Sequence, residues 1–176
     1  MDRSGNESMP SLVAFDMESV CDNPKSVVAD DEARFAGKVI VITGAGGQFG
    51  REGCLYFGRR GARIAALDQN KAGLKGTFEA METELGEEFD FMPYVCDVTS
   101  AEQIGEVVDS IIFRFKRIDL LWNNAGYQGR IETTLEYDSD DFSRVMNINV
   151  TGKLLNLLNA DHSTTSAWGK FCRCTL

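Results

Sequence analysis

Apolar and polar positions fall in blocks along this chain, and the period within the blocks alternates between strand-like and helix-like. A β-branched run at 38–43 predicts a strand buried on both faces. A glycine-rich stretch from Gly44 to Gly50 follows, then a helix to about Arg60, with Gly61 placed to end it. Residues 62–68 read as a second strand. From Asn70 to about Leu85 the apolar residues Leu74, Phe78, Met81 and Leu85 recur at helical spacing, and Gly86 closes the run. A third strand is expected at 89–95. The sequence Thr99-Ser-Ala-Glu102 has the form of a capping box, opening a helix whose apolar face includes Ile104, Val108, Ile111 and Phe115. A fourth strand at 118–122 leads through a polar stretch to a long helix at about 139–159, with Phe142, Val145, Met146, Val150, Leu154 and Leu158 recurring at three and four residues.

Strands alternating with helices at this spacing call for a parallel sheet with right-handed crossovers and helices on both faces. The fold class is therefore α/β, a doubly wound parallel sheet with flanking helices. Three regions are expected: an acidic, disordered leader at 1–36, the folded unit at 37–160, and an irregular tail at 161–176 with no strand or helix logic. The leader sets eight acidic residues against Arg3, Lys25 and Arg34, a balance of −5 within the whole-chain net charge of −9.

That charge disfavours nucleic acid as a partner, because phosphate binding needs clustered Lys and Arg. No run approaches the roughly 18 apolar residues needed to span a bilayer, and residues 1–10 lack the apolar core of a secretory signal. No membrane association is expected. The five cysteines form an odd, scattered set, which suits a reducing, cytoplasmic setting better than a disulfide framework. Cys172 and Cys174 stand one residue apart, and His162 is the one histidine, so no metal is expected.

The candidate chemistry begins at the glycine turn. Glycines between a buried strand and a helix let the backbone bend sharply and let a pyrophosphate approach without a Cβ in the way. The helix N-terminus then offers free N–H groups and a partial positive charge. Asp68 ends the second strand, where a carboxylate can accept hydrogen bonds from both hydroxyls of an adenosine ribose and repel a 2′-phosphate. Its neighbours Gln69 and Asn70 are not basic, and neither is Gly47. NAD is favoured over NADP. A competing use of Asp68 is as the cap of the helix that follows.

These residues resemble the short-chain dehydrogenase/reductase family, a group with a Rossmann-like fold. Thr43 to Gly50 is similar to the family's cofactor turn, with one departure: Gln48 stands where the usual pattern has glycine. Asp97-Val98 resembles the pair that touches the adenine ring. Asn123-Asn124-Ala125-Gly126 resembles the family's Asn-Asn-Ala-Gly segment, and Asn149-Val-Thr-Gly152 the asparagine-containing segment after it. The resemblance runs from about Lys38 to about Asn159.

It implies a cofactor site made by Gly44, Gly46, Gly47, Gln48, Phe49, Asp68, Asp97, Val98, Asn124, Ala125 and Gly126. It gives Asn149 the role of the asparagine that bends its helix and holds a water in the proton relay. The family's strand order, as far as this chain runs, implies 3-2-1-4, an incomplete sheet with the fourth strand at an open edge. Tyr127, Gln128 and 131–141 are candidates for the border of a substrate pocket, with surface-loop roles equally open. The family's acid is a Tyr followed four residues later by Lys, assisted by a Ser. Tyr56, Tyr94, Tyr127 and Tyr137 are followed at that spacing by Arg60, Val98, Ile131 and Asp141, so none fits.

Pattern is lost after Asn159, which points to a C-terminally truncated product. The resemblance implies an NAD-dependent oxidoreductase acting on a small alcohol or ketone. The missing Tyr–Lys pair leaves open a non-catalytic NAD-binding module or a non-functional fragment. Homo- or hetero-oligomers through the 140–159 helix are expected.

Overall fold

A strand whose residues are all apolar or β-branched has no solvent face, so it belongs in the middle of a covered sheet. In a computed structural model, which describes residues 34–156 and 172–174, β1 (Val39–Thr43) is buried at every position. It pairs in parallel with β2 (Arg63–Asp68) on one side and β4 (Leu120–Trp122) on the other. β3 (Asp90–Val95) adds outside β2. Pro93 has no N–H to donate, and β3, with a partner only on its β2 side, tolerates it.

β5 (Cys172–Cys174) pairs in parallel with the outer side of β4, giving the order β3-β2-β1-β4-β5. The first four strands stand in the expected 3-2-1-4 order. Two expectations are corrected by β5: part of the tail at 161–176 is a strand, and β4 is not an open edge along its length. The remainder of that tail, and residues 1–33 of the leader, lie outside the described residues. Residues 34–36 of the leader belong to a turn, in which the Phe35 amide donates to the Arg60 carbonyl (3.0 Å) and the Phe35 ring meets Phe57 edge-on.

Alternate residues of each central strand face opposite layers. Ile40, Ile42, Ile64 and Ala66 pack against Cys54 and Leu55 of α1 (Gln48–Gly58) and Leu74 and Met81 of α2 (Lys71–Leu85). Val39, Val41, Ala65 and Leu67 pack against Ile104, Val108 and Ile111 of α3 (Ala101–Phe115). At the N-terminal end of the sheet, Asp119 draws hydrogen bonds from Arg117, the Val39 amide and Lys38. Burial alone would raise its pKa, but these three donors together hold it below the usual carboxylate range.

One helix start differs from the sequence reading, and one open alternative is decided. The hydroxyl of Ser100, not Thr99, caps α3 by accepting from the Gln103 amide (3.3 Å). Thr99 turns its hydroxyl to Asp97 instead (2.8 Å), so no capping box forms. α2 is capped by Asn70, whose side chain accepts from Gly73 N (3.0 Å), and Asp68 is not the cap.

The long helix expected at 139–159 is three pieces in what is described: α4 (Ser139–Met146), a π-helical stretch (Asn147–Gly152) and an α-helical turn at 153–156. Within this wider turn, Asn149 reaches the Tyr127 backbone and Gly152 lies against Val98. Among the described residues no helix is long and apolar enough to cross a membrane.

Candidate nucleotide-binding site

In a doubly wound sheet, ligands bind beyond the carboxyl ends of the strands, where the strand order reverses. Here that point lies between β1 and β4, because β1 leads leftward to β2 and the chain returns to β4 on its other side. The turn after β1 is held by close approach. Gly44 has φ 68°, and a Cβ on it would lie 2.9 Å from Ala125 Cα; a Cβ on Gly50 would lie 2.1 Å from the Gly44 carbonyl oxygen. Neither position admits a side chain. Gly47 is the N-cap of α1 and caps it with no side chain, so no capping side chain occupies the first amides of that helix. Gln48 begins α1 at the position where the family pattern has glycine, and the helix forms regardless.

Asp68 reaches this turn from the end of β2. Its Oδ2 accepts from Gly46 N (2.9 Å) and its Oδ1 from Asn70 N (2.8 Å). One carboxylate therefore ties the glycine turn to the start of α2. Each oxygen keeps a further lone pair for a ligand hydroxyl. Asp97 is braced in turn, accepting from the amide (2.9 Å) and hydroxyl of Thr99 on one oxygen, while its own amide donates to Gln103 (2.9 Å).

A network of side-chain amides and a hydroxyl closes the far side. Thr43 Oγ1 accepts from Ala125 N (2.9 Å), and Asn124 Nδ2 donates to the Thr43 carbonyl (3.0 Å). Buried Asn123 donates to the Lys153 carbonyl (2.8 Å) and accepts from Asn156 (3.1 Å) and, more loosely, from Thr43 Oγ1 (3.4 Å). Asn149 clasps the Tyr127 backbone with both ends of its amide: Oδ1 accepts from Tyr127 N (2.8 Å) and Nδ2 donates to Tyr127 O (2.9 Å).

A cleft of about 140 Å³ results. Of the sequence-predicted residues it brings together Gly44, Asp68, Asp97, Val98, Ala125 and Gly126 as lining. Gly46, Gly47 and Asn124 stand behind that lining as supports of the turn. Asn149 acts on the lining through the Tyr127 backbone. Phe49 is turned elsewhere: it is 78% exposed and lines a separate, larger cavity of about 520 Å³ with Tyr56, Phe57 and Trp122. That second cavity has an almost entirely apolar surface, although Glu52 and Arg59 are among its lining, whereas the smaller cleft gathers the glycine turn and two carboxylates and is the candidate site.

The cleft also contains Gln69, Cys96, Tyr127, Arg144 and Ile148. Sequence reasoning raised only Tyr127 among these. Ile148 and Arg144 were findable as neighbours of Asn149 on the same helix; Cys96 carried no signal, being a small apolar residue at a strand end. Burial pushes the Cys96 thiol up to about 11, with the Asp97 charge adding to it, so it is not a thiolate at neutral pH.

A βαβ unit with a glycine turn at a helix start, and a carboxylate at the end of the second strand, defines a dinucleotide-binding fold. A family model described as short chain dehydrogenase matches residues 38–160. The chain belongs to the short-chain dehydrogenase/reductase family of oxidoreductases. It is 32% identical over 124 residues to levodione reductase of Leifsonia aquatica, covering 70% of this chain and 46% of that one. It is 36% identical over 119 residues to a 3-oxoacyl-(acyl-carrier-protein) reductase of Thermotoga maritima, covering 68% and 47%. Among solved structures, NAD+-bound xylitol dehydrogenase superposes with a TM-score of 0.69 at 41% identity, over 73% of this chain and 48% of that one. The chain spans about half the length of the curated relatives it matches.

Proposed function

We propose that this chain binds NAD(H) in the cleft and supplies the cofactor-binding half of a hydride-transfer reaction on a small alcohol or ketone. The observation that carries the reading is the position of Asp68: its carboxylate lines the cleft beside Gly44 and is followed by the uncharged Gln69 and Asn70. Such a carboxylate accepts ribose hydroxyls and repels a 2′-phosphate, which favours NAD over NADP. Asp97 and Val98 would flank the adenine, Ala125 and Gly126 the nicotinamide ribose, and the α1 amides the pyrophosphate. The fit is supported by the side-chain-free approach at Gly44 and Gly50 and by the uncapped α1 terminus.

Hydride transfer also needs a proton donor at the substrate oxygen. No tyrosine in this sequence is followed by lysine at the family's spacing, and the phenol of Tyr127, in the cleft, already donates to Asp141 (2.8 Å). Binding without turnover is the expected behaviour of this chain assayed alone, which is the module reading. NADH fluorescence titration, with NADPH alongside, tests it. Wild type should bind NADH more tightly than NADPH, and Asp68→Asn should lose roughly tenfold in NADH affinity while circular dichroism stays unchanged. Equal binding of both nucleotides by wild type would overturn the assignment of Asp68, and reduction of NAD by an alcohol would overturn the module reading.

Association through α4 and the segment after it is part of the same proposal. Phe142, Met146, Val150 and Leu154 follow one another every four residues and are all exposed, a contiguous apolar stripe with no partner among the described residues.

A further inference from the structure

The segment between β4 and α4 folds onto a single carboxylate. Asp141, in the first turn of α4 and only 8% exposed, accepts three hydrogen bonds. The Tyr127 phenol donates to Oδ1 (2.8 Å); the Tyr137 phenol (2.9 Å) and the Arg130 amide (2.8 Å) donate to Oδ2. The loop closes so tightly that Gly129 takes φ 78°, and a Cβ there would stand 2.2 Å from the Tyr137 hydroxyl. Arg144, three residues along the helix from Asp141, sets its guanidinium carbon 4.5 Å from the centre of the Tyr127 ring. Tyr127 is thus held at three points: its backbone by Asn149, its hydroxyl by Asp141, its ring face by Arg144.

Tyr127 and Arg144 both line the cleft that contains Asp68 and Asp97. Arg144 is the sole cation in that lining, against two carboxylates. A dinucleotide brings two further negative charges on its phosphates. We propose that Asp141 is a positioning residue: by holding the Tyr127 phenol it fixes the Tyr127–Arg144 pair as a rigid wall of the cleft, and Arg144 supplies the cation that a phosphate-bearing ligand needs there. The inference rests on the NAD reading for the ligand, while the latch itself stands on the geometry alone.

The ionisation states agree with the geometry. The Arg130 amide, with both phenols, holds the Asp141 carboxyl below its ordinary range in spite of its burial. The hydrogen bond to Asp141 pushes both tyrosines up, with its charge adding to the effect; Arg144 and Arg130 pull Tyr127 the other way without cancelling it. At neutral pH the latch is therefore an anion accepting from two protonated phenols. Loss of the carboxylate charge should let Tyr127 and Tyr137 ionise at lower pH.

The experiment uses the full chain with Asp141→Asn, Arg144→Gln and Tyr137→Phe. Phenol ionisation is followed by ultraviolet absorbance during alkaline titration, and NADH binding by fluorescence at low and high salt. In Asp141→Asn the phenol transition should move to lower pH than in wild type. Asp141→Asn and Arg144→Gln should each weaken NADH binding about fivefold, and Arg144→Gln should flatten its salt dependence. Tyr137→Phe, which removes one donor to Asp141 and leaves the Tyr127 bond in place, should weaken NADH binding less than Asp141→Asn does. Unchanged phenol titration in Asp141→Asn, or wild-type NADH affinity in Arg144→Gln, overturns the proposal while leaving the cofactor reading intact. Failure of wild type to bind NADH overturns the cofactor reading, and the wall's role with it, whatever the phenols do. Should Asp141→Asn not fold, Arg144→Gln decides through its affinity and salt dependence.

Discussion

Gly53 shows how little room one carbon has in this packing. It lies on α1 where the Trp122 ring crosses, and a Cβ added there would stand 1.7 Å from Trp122 Cζ3. The ring, also edge-on to Phe57 at 5.9 Å, would have to shift toward the larger cavity that it lines, giving up its packing on α1. Gly53→Ala should therefore destabilise the fold by about 1–3 kcal/mol in spite of alanine's higher helix propensity. Urea denaturation followed by tryptophan fluorescence would show it, and a stabilised variant would refute the contact. At this scale some residues were legible and others were not. Gly44 and Asp68 could be brought together from sequence because one follows a buried strand and the other ends the strand beside it, and both line the cleft. Asp141 did not. In sequence it is one of several acids opening a helix, the pattern of a solvated N-terminus, and two of its three donors sit 11 and 14 residues earlier in a loop without periodicity.

At the scale of elements, strand and helix order followed from period alone, but the ends depended on which side chain found which amide. Thr99 and Ser100 are both good caps, and the capping-box pattern favours Thr99 because Glu102 lies three residues on. Asp97 settles the matter by capturing the Thr99 amide and hydroxyl, which leaves Ser100 to accept from Gln103. Ser100→Ala should cost about 1 kcal/mol, read as a fall in thermal midpoint, with NADH affinity little changed. A drop no larger than that of a surface serine would contradict the assignment. The π-helical stretch was signalled only by Asn149, which the resemblance made the asparagine that bends its helix; the apolar period did not mark it. Phe142, Met146, Val150 and Leu154 at intervals of four fit an α-helix as well as a wider one. β5 offered three residues, Cys172–Cys174, and no run that short carries a period.

At the scale of the whole molecule, the two layers differ in how they are finished. β1 and β2 are covered on both faces, whereas the stripe on α4 and the π-helical stretch ends in solvent, with Phe142 57%, Val150 52% and Leu154 54% exposed. Apolar surface arranged in a line invites a second such line. The full chain should sediment as more than a monomer, and Val150→Lys, which places a charge mid-stripe, should shift it toward monomer. A monomeric wild type would remove the case for association through this helix. The chain spans about half the length of the matched relatives.

Asn123 gives the helix that bears the stripe its stiffness. Its amide bolts the carboxyl end of β4 to the helical turn after the π stretch, through Lys153 and Asn156, and leans on Thr43 at the end of β1. The helix cannot swing away from the sheet without breaking these bonds, two of them buried. The segment that follows Gly126 is pinned in turn, through Tyr127, Arg130 and Tyr137, to Asp141 at the start of α4, so strand end, loop and helix are fastened to one another as one piece.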